Sequence, residues 1–400
     1  MKLKLVPIAA LLATALAAPA ALAQKKYDPG ANDKEIKIGH INPYSGPASA
    51  YGTIGKSIAA YFKKVNDEGG VNGRKINFIS YDDGYSPPKT VEMARKLVEQ
   101  DEVLLVFQPL GTPPNSAIHK YMNAKKVPQL FVATGATKWN DPKGYPWTMG
   151  WQPNYQTEGT IYAQHILKNK PNAKIAVLYQ NDDYGKDYLK GFKDGLGAKA
   201  AMIVKEVSYE VADPTVDSQI VQLQSSGADT FFNITTPKFA AQAIRKAYDI
   251  GWKPTHYLNN VSASIGTVLK PAGLDKAVGL ITTQYLKDPT DKAWANDKAV
   301  QDWTAFMKKY YPDGSLVAAE NFYGWNVAQT MVQVLKQAGD NLTRENVMKQ
   351  AASLKDFALP GALPGIKLNT SATDFAPFES VQLARFDGKE WVRFGEVMGK

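Results

Sequence analysis

From residue 36 onward the chain alternates short β-rich runs with longer helical patterns, a rhythm that restricts it to α/β folds built of βαβ units with parallel sheets. Residues 36–41 read as a strand, 54–66 as an amphipathic helix stopped by Gly69 and Gly70, 76–81 as a strand and 88–99 as a helix. The cycle repeats with strand 103–107, helix 114–123 and strand 129–133, which completes one α/β lobe near residue 150. A second series has the same rhythm: helix 157–168, strand 174–179, helix 184–196, strand 202–209, helix 217–225, strand 230–234 and helix 240–250, then strands 256–258 and 278–285. Beyond residue 286 the pattern turns helical over 294–310, 318–338 and 344–353. Strands return only at 381–386 and 390–394, a hairpin around Asp387 and Gly388. Two lobes also suit a length of 400 residues, given a prior of ~150 residues per domain.

The first residues depart from this pattern. Lys2 and Lys4 precede an apolar run over residues 5–18, and Ala21, Leu22 and Ala23 form a small-residue exit. That order is the layout of a secretory signal peptide, too short and alanine-rich for a membrane span. Cleavage after Ala23 is expected to leave a mature chain beginning at Gln24. There is no cysteine, so an exported form would carry neither a disulfide nor a lipid on cysteine. A soluble, unanchored protein of this kind suits the periplasm. The formal charge is +9, and two of those charges leave with Lys2 and Lys4. The remaining lysines are scattered rather than blocked, which favours solvated helix faces over nucleic-acid binding.

Enzyme signatures are poor. There is no GxSxG elbow, and His40, His119, His165 and His256 lie too far apart to show a metal-ligand spacing. The stretch Gly55, Lys56, Ser57 mimics the end of a phosphate loop, but the required earlier glycine falls at Ala50. Lys56 reads as a helix-surface lysine. Asp82 and Asp83 form the most catalytic-looking carboxylate pair. They follow a strand and precede a helix opened by Pro87 or Pro88, where short polar residues shape turns, with ligand or metal contact as the other reading.

Five motifs in order carry a resemblance: Gly46 and Pro47 after the first strand, Asp-Glu-Gly-Gly at 67–70, Tyr-Asp-Asp at 81–83, Gly-Ala-Thr at 135–137 and Asp-Tyr-Gly at 183–185. Together they resemble the leucine/isoleucine/valine-binding protein family, through the whole mature chain. The resemblance implies two Rossmann-like lobes with parallel sheets, joined by three hinge crossovers, with a ligand in the cleft between them. Lobe 1 is then expected over 34–153 and 284–379, and lobe 2 over 154–283 and 380–400. Parallel-strand ends and helix N-termini of both lobes would face one crevice.

The same resemblance implies the site residues. Leu110, Gly111 and Thr112 match the family's serine-rich turn, whose backbone N–H groups hold the ligand carboxylate; here Gly111 and Thr112 stand in place of serines. Gly135 and Thr137 match the loop that supplies a carbonyl and a hydroxyl with its N–H. Tyr51 matches an aromatic wall and Tyr184 an aromatic lid from the second lobe, so closure is expected to sandwich the ligand between them. Two positions depart from the family: one of its tyrosines aligns near Thr236, and the glutamate that pairs with the ligand's ammonium aligns with Asn260. The family's disulfide is absent too.

The expectation is a monomeric, non-enzymatic binding protein without metal or cofactor. It closes on a small carboxylate and delivers it to the membrane permease of an ABC importer. The cargo is a branched-chain or other hydrophobic amino acid or, preferred because of Asn260, an aromatic or hydrophobic acid lacking an amino group. Two rivals remain: a periplasmic sensor of the same fold that reports to a receptor or regulator, and a periplasmic α/β hydrolase working through Asp82 or Asp83.

Overall fold

In the computed structural model, which describes residues 25–399, strand Leu105–Phe107 lies at the middle of a five-stranded parallel sheet. The leader expected over 1–23 lies outside the described residues. Leu105, Val106 and Phe107 are all fully buried, since helices cover both faces of the sheet. Successive side chains of a strand point to opposite faces. Leu105 and Phe107 accordingly pack with Ile58 and Phe62, whereas Val106 packs with Ile41, Ile118 and Met122. The sheet runs Lys75–Asp82, Glu35–Asn42, Leu105–Phe107, Gln129–Val132 and Thr148–Gly150.

The second sheet has seven strands. Ile203–Tyr209, Ile175–Gln180, Thr230–Ile234, Thr255–Leu258 and Ile281–Gln284 run parallel. The hairpin Ser380–Phe386 and Trp391–Gly399 continues it antiparallel. A two-stranded patch pairs Lys26–Tyr27 with Asn341–Leu342.

The fold is therefore the expected two-lobed α/β architecture. The chain passes between the lobes three times: after Gly150, after Gln284 and before Ser380. Between the last two passages, helix Ala319–Ala338 packs on helix Gly52–Asp67 of the first lobe, with the Ser57 hydroxyl donating to the Asn321 carbonyl at 2.7 Å.

Local chemistry sets the helix ends that matter for the cleft. Helix Tyr155–Asn169 starts where the Asn154 side chain accepts the N–H groups of Gln156 and Thr157. Helix Asp183–Leu196 starts in the same way on Asp182, which accepts from Tyr184 and Gly185. The two helices approach closely at glycines. A Cβ at Gly191 would sit 2.2 Å from the Gln156 carbonyl oxygen, so only glycine fits.

Candidate functional site

Between the lobes lies a cavity of about 140 Å³. Its walls come from turns at the carboxyl ends of parallel strands and from helix starts, where ligands bind in open α/β sheets. Leu110, Gly111 and Thr112 follow strand Leu105–Phe107, Thr236 follows Thr230–Ile234, and Asn260 follows Thr255–Leu258. Tyr51 and Tyr184 reach it from opposite lobes. These seven of the nine sequence-derived site residues share one cavity.

The other two do not line it. Gly135 supports it from behind, its carbonyl accepting the Tyr155 N–H at 2.8 Å. Thr137 was expected to offer its hydroxyl and N–H to the ligand, but the N–H goes to Asp187 Oδ2 at 2.8 Å and the hydroxyl lies 3.0 Å from both Asp187 Oδ2 and Asn154 Oδ1. With its N–H bonded to a carboxylate of the other lobe and its hydroxyl within reach of it, Thr137 ties the lobes together instead of holding an anion.

The backbone grip is also narrower than expected. Gly111 takes φ +97°, a conformation suited to glycine, and its N–H goes to the Ala133 carbonyl at 3.2 Å. Helix Thr112–Lys125 continues with Pro113 and Pro114, which carry no N–H. Of the donors that a helix start normally presents, only the Thr112 N–H lacks a partner among the described residues.

Several residues outside the sequence-derived set line the same space. Six tyrosines do so, Tyr85, Tyr155, Tyr285 and Tyr323 joining Tyr51 and Tyr184. Phe322 and Trp391 add apolar surface. Gln284, 8 % exposed at the end of its strand, has its Oε1 buried without a partner among the described residues. A buried amide oxygen in that state carries a desolvation cost that a ligand donor can relieve.

Three charged residues complete the wall. Lys287 is committed elsewhere, donating to Asp297 Oδ2 at 2.8 Å and to the Pro360 carbonyl at 2.9 Å. Asp288 accepts the N–H and hydroxyl of Thr290. Glu320 accepts the hydroxyls of Ser264 and Thr267 from the opposite lobe. Burial raises the pKa of both carboxyl groups above the usual range. Among the described residues, the cavity therefore presents no uncommitted cation.

Further bonds join the lobes around it. The Tyr51 hydroxyl donates to the Val261 carbonyl at 2.9 Å, Lys138 Nζ reaches Asp183 Oδ2 at 2.7 Å, and the Gly266 N–H donates to the Val317 carbonyl at 2.8 Å.

Asn260 is held from behind. Its N–H donates to Glu158 Oε1 at 2.7 Å and its Nδ2 to the Thr283 carbonyl, which leaves Oδ1 as the acceptor. Thr236 gives its N–H to the Tyr209 hydroxyl at 3.0 Å.

Asp82 and Asp83 lie away from the cavity. Asp82 Oδ1 accepts the N–H groups of Tyr44, Ser45 and Gly84, and Asp83 accepts from Tyr85 and Thr90, so both shape the turn. Among the described residues, no group of three or more His, Asp or Glu side chains could hold a metal ion. Burial depresses the pKa of His40 and His119 to about 4 and of His256 to about 3, which keeps them neutral packing groups.

Comparison with known proteins agrees with this geometry. The profile of a family described as periplasmic binding protein matches residues 35–390. The Leu/Ile/Val-binding protein homolog 1 of Brucella abortus is 26% identical over 330 residues, covering 80% of this chain and 84% of that protein. Among solved structures, a branched-chain amino acid ABC transporter protein from Thermus thermophilus with bound valine superposes with a TM-score of 0.83 at 16% identity, over 92% of this chain and 97% of that one. A solute-binding protein from R. palustris in complex with 4-hydroxybenzoate gives 0.77 at 18% identity, over 92% and 98%.

Proposed function

The chain belongs to the periplasmic binding protein family, and from that premise we propose that it is the solute-binding subunit of an ABC importer, closing on a small aromatic or hydrophobic carboxylate and delivering it to a membrane permease. The observation that carries this reading is the tyrosine-walled cavity between two lobes, apolar over most of its wall and without an uncommitted cation among the described residues. Aromatic side chains recognise a ring by offset or edge contacts, and their hydroxyls add directional polar contacts. The 4-hydroxybenzoate complex of the R. palustris protein supports an acid of this class as a ligand that the fold accommodates.

The two lobes are assigned to 34–153 with 284–379 and to 154–283 with 380–400. This division is supported by the sheets to which those segments contribute strands. Closure about the three crossovers would bring Tyr51 and Tyr184 to opposite sides of the ligand.

The test is a thermal-shift screen of the mature protein against amino acids, amides and aromatic and aliphatic acids, followed by small-angle scattering with the best hit. A ligand at a thousandfold excess over its dissociation constant stabilises the folded state by ~4 kcal/mol, which shifts the melting temperature readily. An acid is expected to give the largest shift and to contract the particle. No contraction at saturation would remove the closure mechanism, and a screen silent to every acid would remove the ligand class.

Export to the periplasm is part of the same proposal, supported by the basic, apolar and Ala-Leu-Ala segments in order. N-terminal sequencing of the protein from its native host is expected to read Gln24 first. Intact Met1 protein in the cytoplasm would refute this.

A further inference from the structure

If the ligand is a carboxylate, as the proposed function holds, the one cation on the wall among the described residues, Lys287, is already paired with Asp297, and the helix start offers a single N–H. Following each hydroxyl proton through its hydrogen bonds shows what is available.

The first chain begins at the Phe131 carbonyl, which can only accept. It receives a bond from Gln108 Nε2, and this fixes which way that amide faces. The second N–H of Gln108 Nε2 goes to the Tyr323 oxygen at 3.1 Å. Tyr323 turns its own proton to Gln152 Oε1 at 3.3 Å. Gln152 is thereby oriented so that its Nε2 donates to the Tyr155 oxygen at 3.2 Å. Every bond runs in one direction, and such aligned chains polarise the last donor. Tyr155 lines the cavity, and the acceptor near its hydroxyl, Thr134 Oγ1, already receives Trp139 Nε1 and the Ala136 N–H.

A second chain ends in the same way. The Thr235 N–H donates to Asn259 Oδ1 at 3.3 Å, so Asn259 Nδ2 is the atom that donates to the Tyr184 oxygen at 2.6 Å. The Tyr184 proton finds no acceptor among the described residues. Rings 155 and 184 meet edge to face with centroids 5.5 Å apart.

The third chain passes through Thr134, whose Oγ1 accepts from Trp139 Nε1 at 3.1 Å and from the Ala136 N–H at 3.3 Å. With both lone pairs engaged, Thr134 gives its proton to Thr112 Oγ1, 2.6 Å away. The Thr112 hydroxyl proton is left for the cavity that Thr112 lines. Burial keeps Tyr155 and Tyr184 well above the ordinary phenol range, so both remain protonated donors.

We propose that the ligand's carboxylate is held by the hydroxyl protons of Tyr155, Tyr184 and Thr112, with the Thr112 N–H beside them, as a neutral grip. Gln108, Gln152, Tyr323, Asn259 and Thr134 are positioning residues that aim those protons. A primary amide offers one acceptor oxygen and an NH2 that would face the same donors, so the grip selects acids over their amides.

The test uses 4-hydroxybenzoate, 3-phenylpropionate and octanoate, with their primary amides, titrated calorimetrically into wild type and into Tyr155→Phe, Tyr184→Phe and Thr112→Val. A hydrogen bond to a charged group is expected to be worth about tenfold or more in affinity. Each variant should therefore weaken the tightest acid by about tenfold or more and narrow its advantage over the amide, while the melting temperature of the free protein, lowered by the internal donor each variant strands, is read separately. If Thr112→Val does not fold, Thr112→Ser must bind the acid as wild type does and Thr112→Ala must not. Wild-type binding of an acid with all three variants within twofold of it would overturn the grip and leave the acid reading standing. Amino acids or amides binding while all three acids are silent would overturn the reading and the grip with it.

Discussion

Replacing Glu158 with alanine is expected to lower the unfolding free energy by about 3–5 kcal/mol and to weaken ligand binding as well. The Glu158 carboxylate is fully enclosed and accepts three donors: the Tyr162 hydroxyl at 2.7 Å, the Tyr188 hydroxyl at 2.6 Å and the Asn260 N–H at 2.7 Å. It thereby ties helix Tyr155–Asn169 to helix Asp183–Leu196 and to the turn that carries Asn260 into the cavity. Burial pushes its pKa up, against the pull of those donors. In the alanine variant Tyr162 keeps the Leu258 carbonyl at 3.0 Å as a partner. Tyr188 and the Asn260 N–H are stranded, at ~1–3 kcal/mol for each buried donor, and the vacated volume adds a cavity cost.

Glu158→Gln should fall between the two, because it keeps one acceptor oxygen and sets an NH2 against a donor. Denaturant unfolding of the mature protein reads the effect. A Glu158→Ala unfolding free energy within about 1 kcal/mol of wild type would show that these three contacts do not act together.

The same region shows how far the sequence was legible. Strand Leu105–Phe107 could be read because burial on both faces demands a continuous apolar run. Strand Thr148–Gly150 could not, because three residues carry no period. The strand read over 278–285 begins only at Ile281; Gly279 takes φ +90° and Val278 is 58 % exposed. The helix read from 157 begins at Tyr155, because Asn154 caps it.

Cavity-lining residues that travel with a local motif, such as Gly111, Thr112 and Tyr184, were legible by resemblance. Glu320 and Trp391 were not, since only the later passages of the chain bring them to the cavity. Thr137 lies outside the cavity lining for the same physical reason. Its partner Asp187 is fifty residues away in sequence, so nothing local could signal that its donors are taken.

Leucine, valine and phenylalanine are expected to bind more than a hundredfold more weakly than their deaminated counterparts. The argument concerns a charge sealed in without a partner. Where the resembling family has the glutamate that pairs with the ligand's ammonium, this chain has Asn260, whose one uncommitted polar atom is a neutral carbonyl oxygen. Glu158 stands directly behind it but is occupied by three donors and does not line the cavity. Asp182 caps its helix and Asp183 pairs with Lys138, and neither lines the cavity. Asp288 and Glu320 do line it, but Asp288 is engaged by Thr290 and Glu320 holds Ser264 and Thr267 across the cleft. An ammonium that turned to Glu320 would share it with the two hydroxyls that join the lobes. Leaving it unpaired in the closed cleft forfeits several kcal/mol of solvation, and even ~3 kcal/mol exceeds a hundredfold in affinity. Calorimetry on leucine against 4-methylpentanoate, and on phenylalanine against 3-phenylpropionate, measures the difference directly. If the acids bind, Asn260→Glu should weaken them by like-charge repulsion inside the closed site. Submicromolar binding of leucine or valine with the acids silent would sink the prediction. Glu320→Gln and Asp288→Asn, which change the two carboxylates on the wall, would then show which one pairs with the ammonium.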